Sequence, residues 1–371
     1  MNESVRAELS PRGMSAASSE LVERGDLDEL TRHVNRLVAS ADLDELTRHV
    51  NRLVASADWD ELAELRMRCR LAVERGKQLW AVAAHIEYRL ALGAPGRWAA
   101  MMLETGPGRF ALGPLPEVAA STHTWEELSA HVHPTPQAAM AAHERVMRGE
   151  DLTNDPAAMK LPDVLDLPWS LQTWEPSYAL AEYEPDRMDA PPPKLPALSL
   201  LGATAQGSER GSRGASPLSR READAVASSL VDLVSTWTEE SNGRAEAIGV
   251  RGDALRAIDA LGARPRELAE LEPAIALAAM GWAAASGGAF GRRRGAAPGR
   301  FAAWLVLVAL GDLSAKWPLA PDELGEVLHQ ARWYAWGAGE PSTGWALRLA
   351  VEGTAGASKD RAWAVSATDA V

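Results

Sequence analysis

A tandem duplication constrains this chain more than any other feature. The unit DLDELTRHVNRLVASA fills positions 26–41 and returns, residue for residue, at 42–57; a third start, DWDEL, follows from Asp58 in the same register. Within the first unit Leu27, Leu30, Val34, Leu37 and Val38 fall at helical spacing. An ideal helix turns by about 1600° over one such unit, which would throw the second apolar stripe about 160° from the first. A single unbroken helix would therefore carry its two stripes on nearly opposite sides. A turn at each Ser-Ala-Asp removes the conflict, and Asp26 with Glu29, Asp42 with Glu45 and Asp58 with Glu61 fit the N-cap and third positions of fresh helices. The pattern predicts short antiparallel helices, the start of a helical-repeat module. Two copies without a substitution also read as a recent in-frame duplication, with one copy dispensable to the fold.

Helical patterning continues through DELAELRMRCRLAVERGKQLWAVAAHIEYRLAL, GRWAAMMLE, THTWEELSAHV (Thr124 and Glu127 making a capping-box pair) and TPQAAMAAHERVMRG. Prolines then crowd 156–185, where regular elements should be short. The stretch 189–221 is rich in Pro, Gly and Ser without periodicity and reads as a flexible linker between domains 1–188 and 222–371. Beyond it, READAVASSLVDLVSTWTEESNG reads as an amphipathic helix closed by a left-handed cap at Asn242-Gly243. Further helices are expected at 244–261, 265–285, 298–315, 321–336 and 359–367. Alanine is abundant and β-branched runs are rare, so the expected class is mostly α in both domains.

Several segments, ERGKQLWAVAAHIEYRLAL, GRFALGPLPEVAASTHTWEEL, TEESNGRAEAIGV, SGGAFGRRRGAAPGRFAAW and RWYAWGAGEPSTGWALRLAVE, resemble an uncharacterised family of actinobacterial proteins built on a domain of unknown function. The resemblance spans most of the chain outside the repeat and the linker. It implies no activity, cofactor or catalytic residue.

Charge and motifs narrow the function classes. The net charge is −13, and an acidic body repels polyanions, which argues against double-stranded nucleic acid as the main partner. The longest apolar run, 301–310, is too short to span a bilayer, and Cys69 alone forms no internal disulfide. A cytoplasmic protein without a membrane segment is expected. The sequence contains no Walker-type phosphate loop, HExxH, GxSxG or CxxC motif. His123, His131, His133 and His143 lie near Glu126 and Glu127 but at no tight ligand spacing, so they read as structural and neither metal nor cofactor is expected. The fourteen tryptophans read as core, although Trp333, Trp336 and Trp345 surround a loop that could expose an aromatic face.

Two stretches remain. At 238–246 Glu239, Glu240, Ser241, Asn242, Arg244 and Glu246 crowd a turn, where paired carboxylates beside an arginine could do acid–base work or simply form a solvated helix end. At 286–304 Arg292, Arg293 and Arg294 sit among glycines, with Arg300 following and Pro298 suited to open a helix. Arginine forks bind phosphate or carboxylate, and helix starts attract anions. The bland reading is a solvated connector. Two function classes follow. The first is a non-catalytic binding or adaptor protein whose arginine loop docks an acidic protein surface. The second is an enzyme or small-molecule binder in which Arg292, Arg293, Arg294 and Arg300, with Asn242 and Arg244, hold an anionic ligand while Glu239, Glu240 or Glu246 acts as acid or base. The second requires the 238–246 turn and the 292–300 loop to face one pocket.

Overall fold

The computed structural model describes residues 35–36, 38, 42–104, 112–200, 220–337 and 344–370. They gather into two compact units: 1–138 with 183–187, and 139–182 with 188–371. The first copy of the duplicated unit, most of the expected linker (201–219) and residues 338–343 lie largely or wholly outside the described residues.

The first unit is helical. Helix α1 (Leu43–Ala55) starts at Asp42, whose carboxylate accepts from the Glu45 amide at 3.1 Å, and α2 (Trp59–Glu74) starts at Asp58 in the same way. The break between them falls at the Ser-Ala-Asp that the stripe argument requires. Leu46, Val50 and Leu53 of α1 and Leu62, Leu65 and Cys69 of α2 are buried. Helices α3 (Trp80–Gly93), α4 (Gly96–Met101), α5 (Leu115–Thr122) and α6 (Trp125–Ser129) follow, α6 with the Thr124–Glu127 capping box complete. Buried Glu87 is clamped by Arg66 at 2.9 Å and by Arg70. His123 is also buried, with Nδ1 facing the Ala119 carbonyl and Nε2 the Ala94 carbonyl. Helix α7 (Pro136–Met147) crosses the boundary into the second unit.

The second unit is not all-α. After β1 (Glu182–Tyr183), which straddles the unit boundary, and the two-residue strands β2 (Met188–Asp189) and β3 (Ser199–Leu200) come α8 (Arg220–Asp232), α9 (Ser235–Glu239), β4 (Arg244–Arg251), α10 (Ala254–Ala260), β5 (Glu267–Leu271), α11 (Pro273–Ala285), α12 (Ala296–Leu310), α13 (Pro321–His329), β6 (Ala331–Gly337), β7 (Trp345–Gly353) and β8 (Arg361–Asp369). Five full strands and the short β3 form an antiparallel sheet in the order β3-β5-β6-β7-β8-β4. The expected helices at 244–261, 265–285 and 321–336 are each a strand joined to a helix, and 359–367 is a strand.

The physical reason is visible in the pleat. Along β8, Trp363, Val365 and Ala367 enter the larger core with α8, α11, α12 and α13, while Ala362 and Ala364 enter a smaller one with α10. Trp333 and Ala335 of β6 point to the first face, Tyr334 and Trp336 to the second. A sheet covered on both faces needs no polar alternation, and alanine serves it wherever a helix packs close. Helix propensity alone misreads such strands.

Candidate functional site

The two polar stretches that sequence singles out meet at one end of the sheet. Helix α9 buries Thr236 and Trp237 and ends at Glu240; the chain turns there and enters β4 at Arg244. The expected left-handed cap is absent, since neither Asn242 nor Gly243 has positive φ. Gly243 is instead a close approach. Its amide bonds the Trp237 carbonyl at 2.8 Å, and a Cβ there would stand 2.7 Å from that oxygen.

The loop from Ser286 to Gly295 joins α11 to α12 and is tied down at its base. Ser286 Oγ accepts from Trp237 Nε1 at 2.8 Å and donates to the Ala283 carbonyl at 3.0 Å, while the Ser286 carbonyl accepts from Thr236 Oγ1 at 2.9 Å. The Arg294 amide returns to the Ala285 carbonyl at 2.8 Å. Three amides along the loop then reach acceptors on other elements. Ala289 donates to Asp369 Oδ2 at 2.6 Å, Phe290 to Ser241 Oγ at 3.1 Å, and Arg292 to Glu240 Oε2 at 3.1 Å. Gly288 has φ +68, and a Cβ there would press on the Asp369 carboxylate and on the Trp237 ring. The loop is thus fastened from inside, by its own backbone.

Several side chains of the loop face outward. Phe290 is 61% exposed and the Arg292 side chain 64%, with Arg294 exposed beside them and Arg293 half-buried. Arg292 Nε lies 3.4 Å from Glu240 Oε2, and Arg294 Nη1 lies 3.4 Å from Ser235 Oγ. Glu239, Asn242, Arg244 and Glu246 are all exposed on the neighbouring turn and strand.

Arg300 is not part of this face. Its side chain is 1% exposed and forks onto the fully buried carboxylate of Glu175, Nε to Oε1 at 2.8 Å and Nη2 to Oε2 at 2.7 Å, with Nη2 also bonding the Ser170 carbonyl. Glu175 further accepts from Tyr178 Oη and Trp304 Nε1, so the pair is satisfied within the protein. Burial and the adjacent Glu175 carboxylate hold the Tyr178 hydroxyl well above its ordinary pKa. Helix α12 begins at Ala296, which makes Pro298 its third residue and not its first. The anion at its start is the protein's own: Glu144 Oε1 accepts from the Ala297 amide at 2.9 Å.

Among the described residues no three His, Cys, Asp or Glu side chains stand close enough to hold a metal ion, and no helix is long and apolar enough to cross a membrane. His131 and His133 are exposed, whereas His143 is buried. Trp304 and Trp333 are core residues; Trp345 stacks on Trp282 at 5.0 Å beside Trp237 and stays half-buried.

Sequence reasoning missed Asp369, Ser286 and Phe290. Asp369 carries no local signal, because its partner amide is 80 positions away. Ser286, the polar residue that ends an alanine-rich run, and Phe290, a large apolar residue among glycines, were both legible.

The model of a family of unknown function, DUF6183, matches residues 44–370, and the chain belongs to that family. No curated protein matches the chain, and no solved structure does.

Proposed function

We propose that this is a non-catalytic cytoplasmic binding or adaptor protein, and that the Ser286–Gly295 loop is a preformed knob that docks on an acidic surface of a partner protein. One observation carries the reading: the Ala289, Phe290 and Arg292 amides are all turned inward onto Asp369, Ser241 and Glu240. A loop that cradles phosphate aims its amides at the ligand; here these three support the loop itself. The exposed Phe290 beside Arg292 and Arg294 is the combination enriched at protein interfaces, an aromatic anchor with guanidinium forks, and holding it rigid lowers the entropy cost of docking. The carboxylates Glu239, Glu240 and Glu246 lie open to solvent, with Glu240 engaged in supporting the loop.

The test is titration of the full chain with a labelled oligoglutamate peptide, and separately with inorganic phosphate and ATP. Peptide binding should weaken steeply with added salt. It should survive the triple Arg292, Arg293 and Arg294→Lys change within a few-fold and fall about tenfold or more in the triple Ala variant or in Phe290→Ala. Saturable phosphate or ATP binding, lost in both the Lys and the Ala variants, would show instead that the forks hold a small anion.

A further inference from the structure

Residues 189–200 do not leave the second unit. The segment is fastened at one end by Trp282 Nε1, which donates to the Ala190 carbonyl at 3.1 Å, and at the other by Ser199 and Leu200, which pair with Leu268 and Glu267. Between these ties run Pro191, Pro192, Pro193, Lys194, Leu195 and Pro196. Prolines have fixed φ and no amide to donate, so such a strap stays extended. Beneath it lies a cleft of about 360 Å³ between the strap, the first two turns of α11 and the chain at 176–179. That volume is within the range of small-molecule sites and has room for about a dozen waters.

The lining is lopsided. Pro176, Tyr178, Pro193, Ile275 and Ala278 make the walls apolar. The Tyr178 hydroxyl is committed to Glu175, which leaves the exposed Ser177 and the exposed Lys194 as the polar residues free on the lining. With one cation and one hydroxyl at the rim, the cleft complements a single negative charge on an otherwise apolar body. A dianionic phosphate would lack a second cation, and a sugar or nucleotide would leave its hydroxyls facing hydrocarbon. We propose that this cleft binds a small amphipathic carboxylate, with its acid group on Lys194 and its apolar part against Ile275, Ala278 and Pro176. The site is separate from the arginine loop and shares none of the residues tested there.

Calorimetric titration of the full chain with octanoate, octanol and octyl phosphate examines it. Octanoate should bind saturably at one site and at least about tenfold tighter than octanol, the effect of one charge-assisted hydrogen bond. Lys194→Gln, on an exposed side chain that makes no internal bond, should weaken octanoate about 10- to 100-fold and leave octanol unchanged. Lys194→Arg should keep binding within a few-fold. Ala274→Trp, which fills the cleft from the half-buried start of α11, should abolish binding of both while the melting temperature stays near wild type. Absence of saturable octanoate binding, octanoate binding that ignores Lys194→Gln, or octyl phosphate binding tighter than octanoate would each overturn the proposal.

Discussion

His143 is 1% exposed, lies flat on Trp169 with ring centroids 4.2 Å apart, and has no hydrogen-bond partner on either ring nitrogen. Burial drives its pKa down from 6.5 to about 4; the Arg300 charge pushes the same way, and Asp163 opposes it weakly. The consequence for stability has a definite sign. Above pH 6.5 the ring is neutral in folded and unfolded chains alike, and nothing is lost. As pH falls from 6.5 towards 4 the unfolded chain takes up a proton that the folded one refuses, so stability declines through that window and levels below it. The full loss is on the order of 3 kcal/mol. His143→Phe keeps a flat ring on Trp169 and removes the titration. Denaturant unfolding at pH 7, 6 and 5 should therefore show a shallower acid slope for the variant than for wild type. Equal slopes would mean that the ring is protonated in the fold.

At the scale of elements, the loop and turn were each legible as polar clusters, yet their contact was not. The acceptors that hold the loop come from a short helix, a turn and the far end of β8, and no local pattern joins them. The strands hid for a related reason. RAEAIGVR, WALRLAVEG and RAWAVSATD lack a clean polar alternation and carry alanine on both faces, and alanine is read as a helix former until the second covering layer is known. Helices with their own start signals, α1, α2 and α6, were legible because a cap is local chemistry. The fastening of the loop can be checked directly. Asp369→Ala removes the acceptor of the Ala289 amide, and Gly288→Ala forces a side chain into positive φ against Asp369 and Trp237. Both should raise amide exchange across Ala289–Arg292 about tenfold or more while leaving the α12 amides protected. Unchanged exchange in both would mean that the loop is held by its ends alone.

For the whole molecule the duplication has a simple test. The copies are identical, so deleting either leaves the same chain, with one DLDELTRHVNRLVASA in front of Asp58. The α1 packing surface of Leu46, Val50 and Leu53 is then retained, and the family match begins at residue 44, inside the second copy. The shortened protein should keep its main cooperative thermal transition within a few degrees. Loss of that transition would make both copies integral to the first unit.

The position of β4 has a consequence for how the chain is made. Among the described strands its only neighbour is β8, which the ribosome does not begin until Arg361, after every other strand of the sheet. While α10 to β7 are being synthesised, β4 is an orphan, with a row of amides and carbonyls open to any passing strand. Arg244, Glu246 and Arg251 lie exposed along it, and such charges discourage pairing with the wrong chain. They are guards for a newborn strand, and neutralising them should cost yield in the cell before it costs stability in the tube.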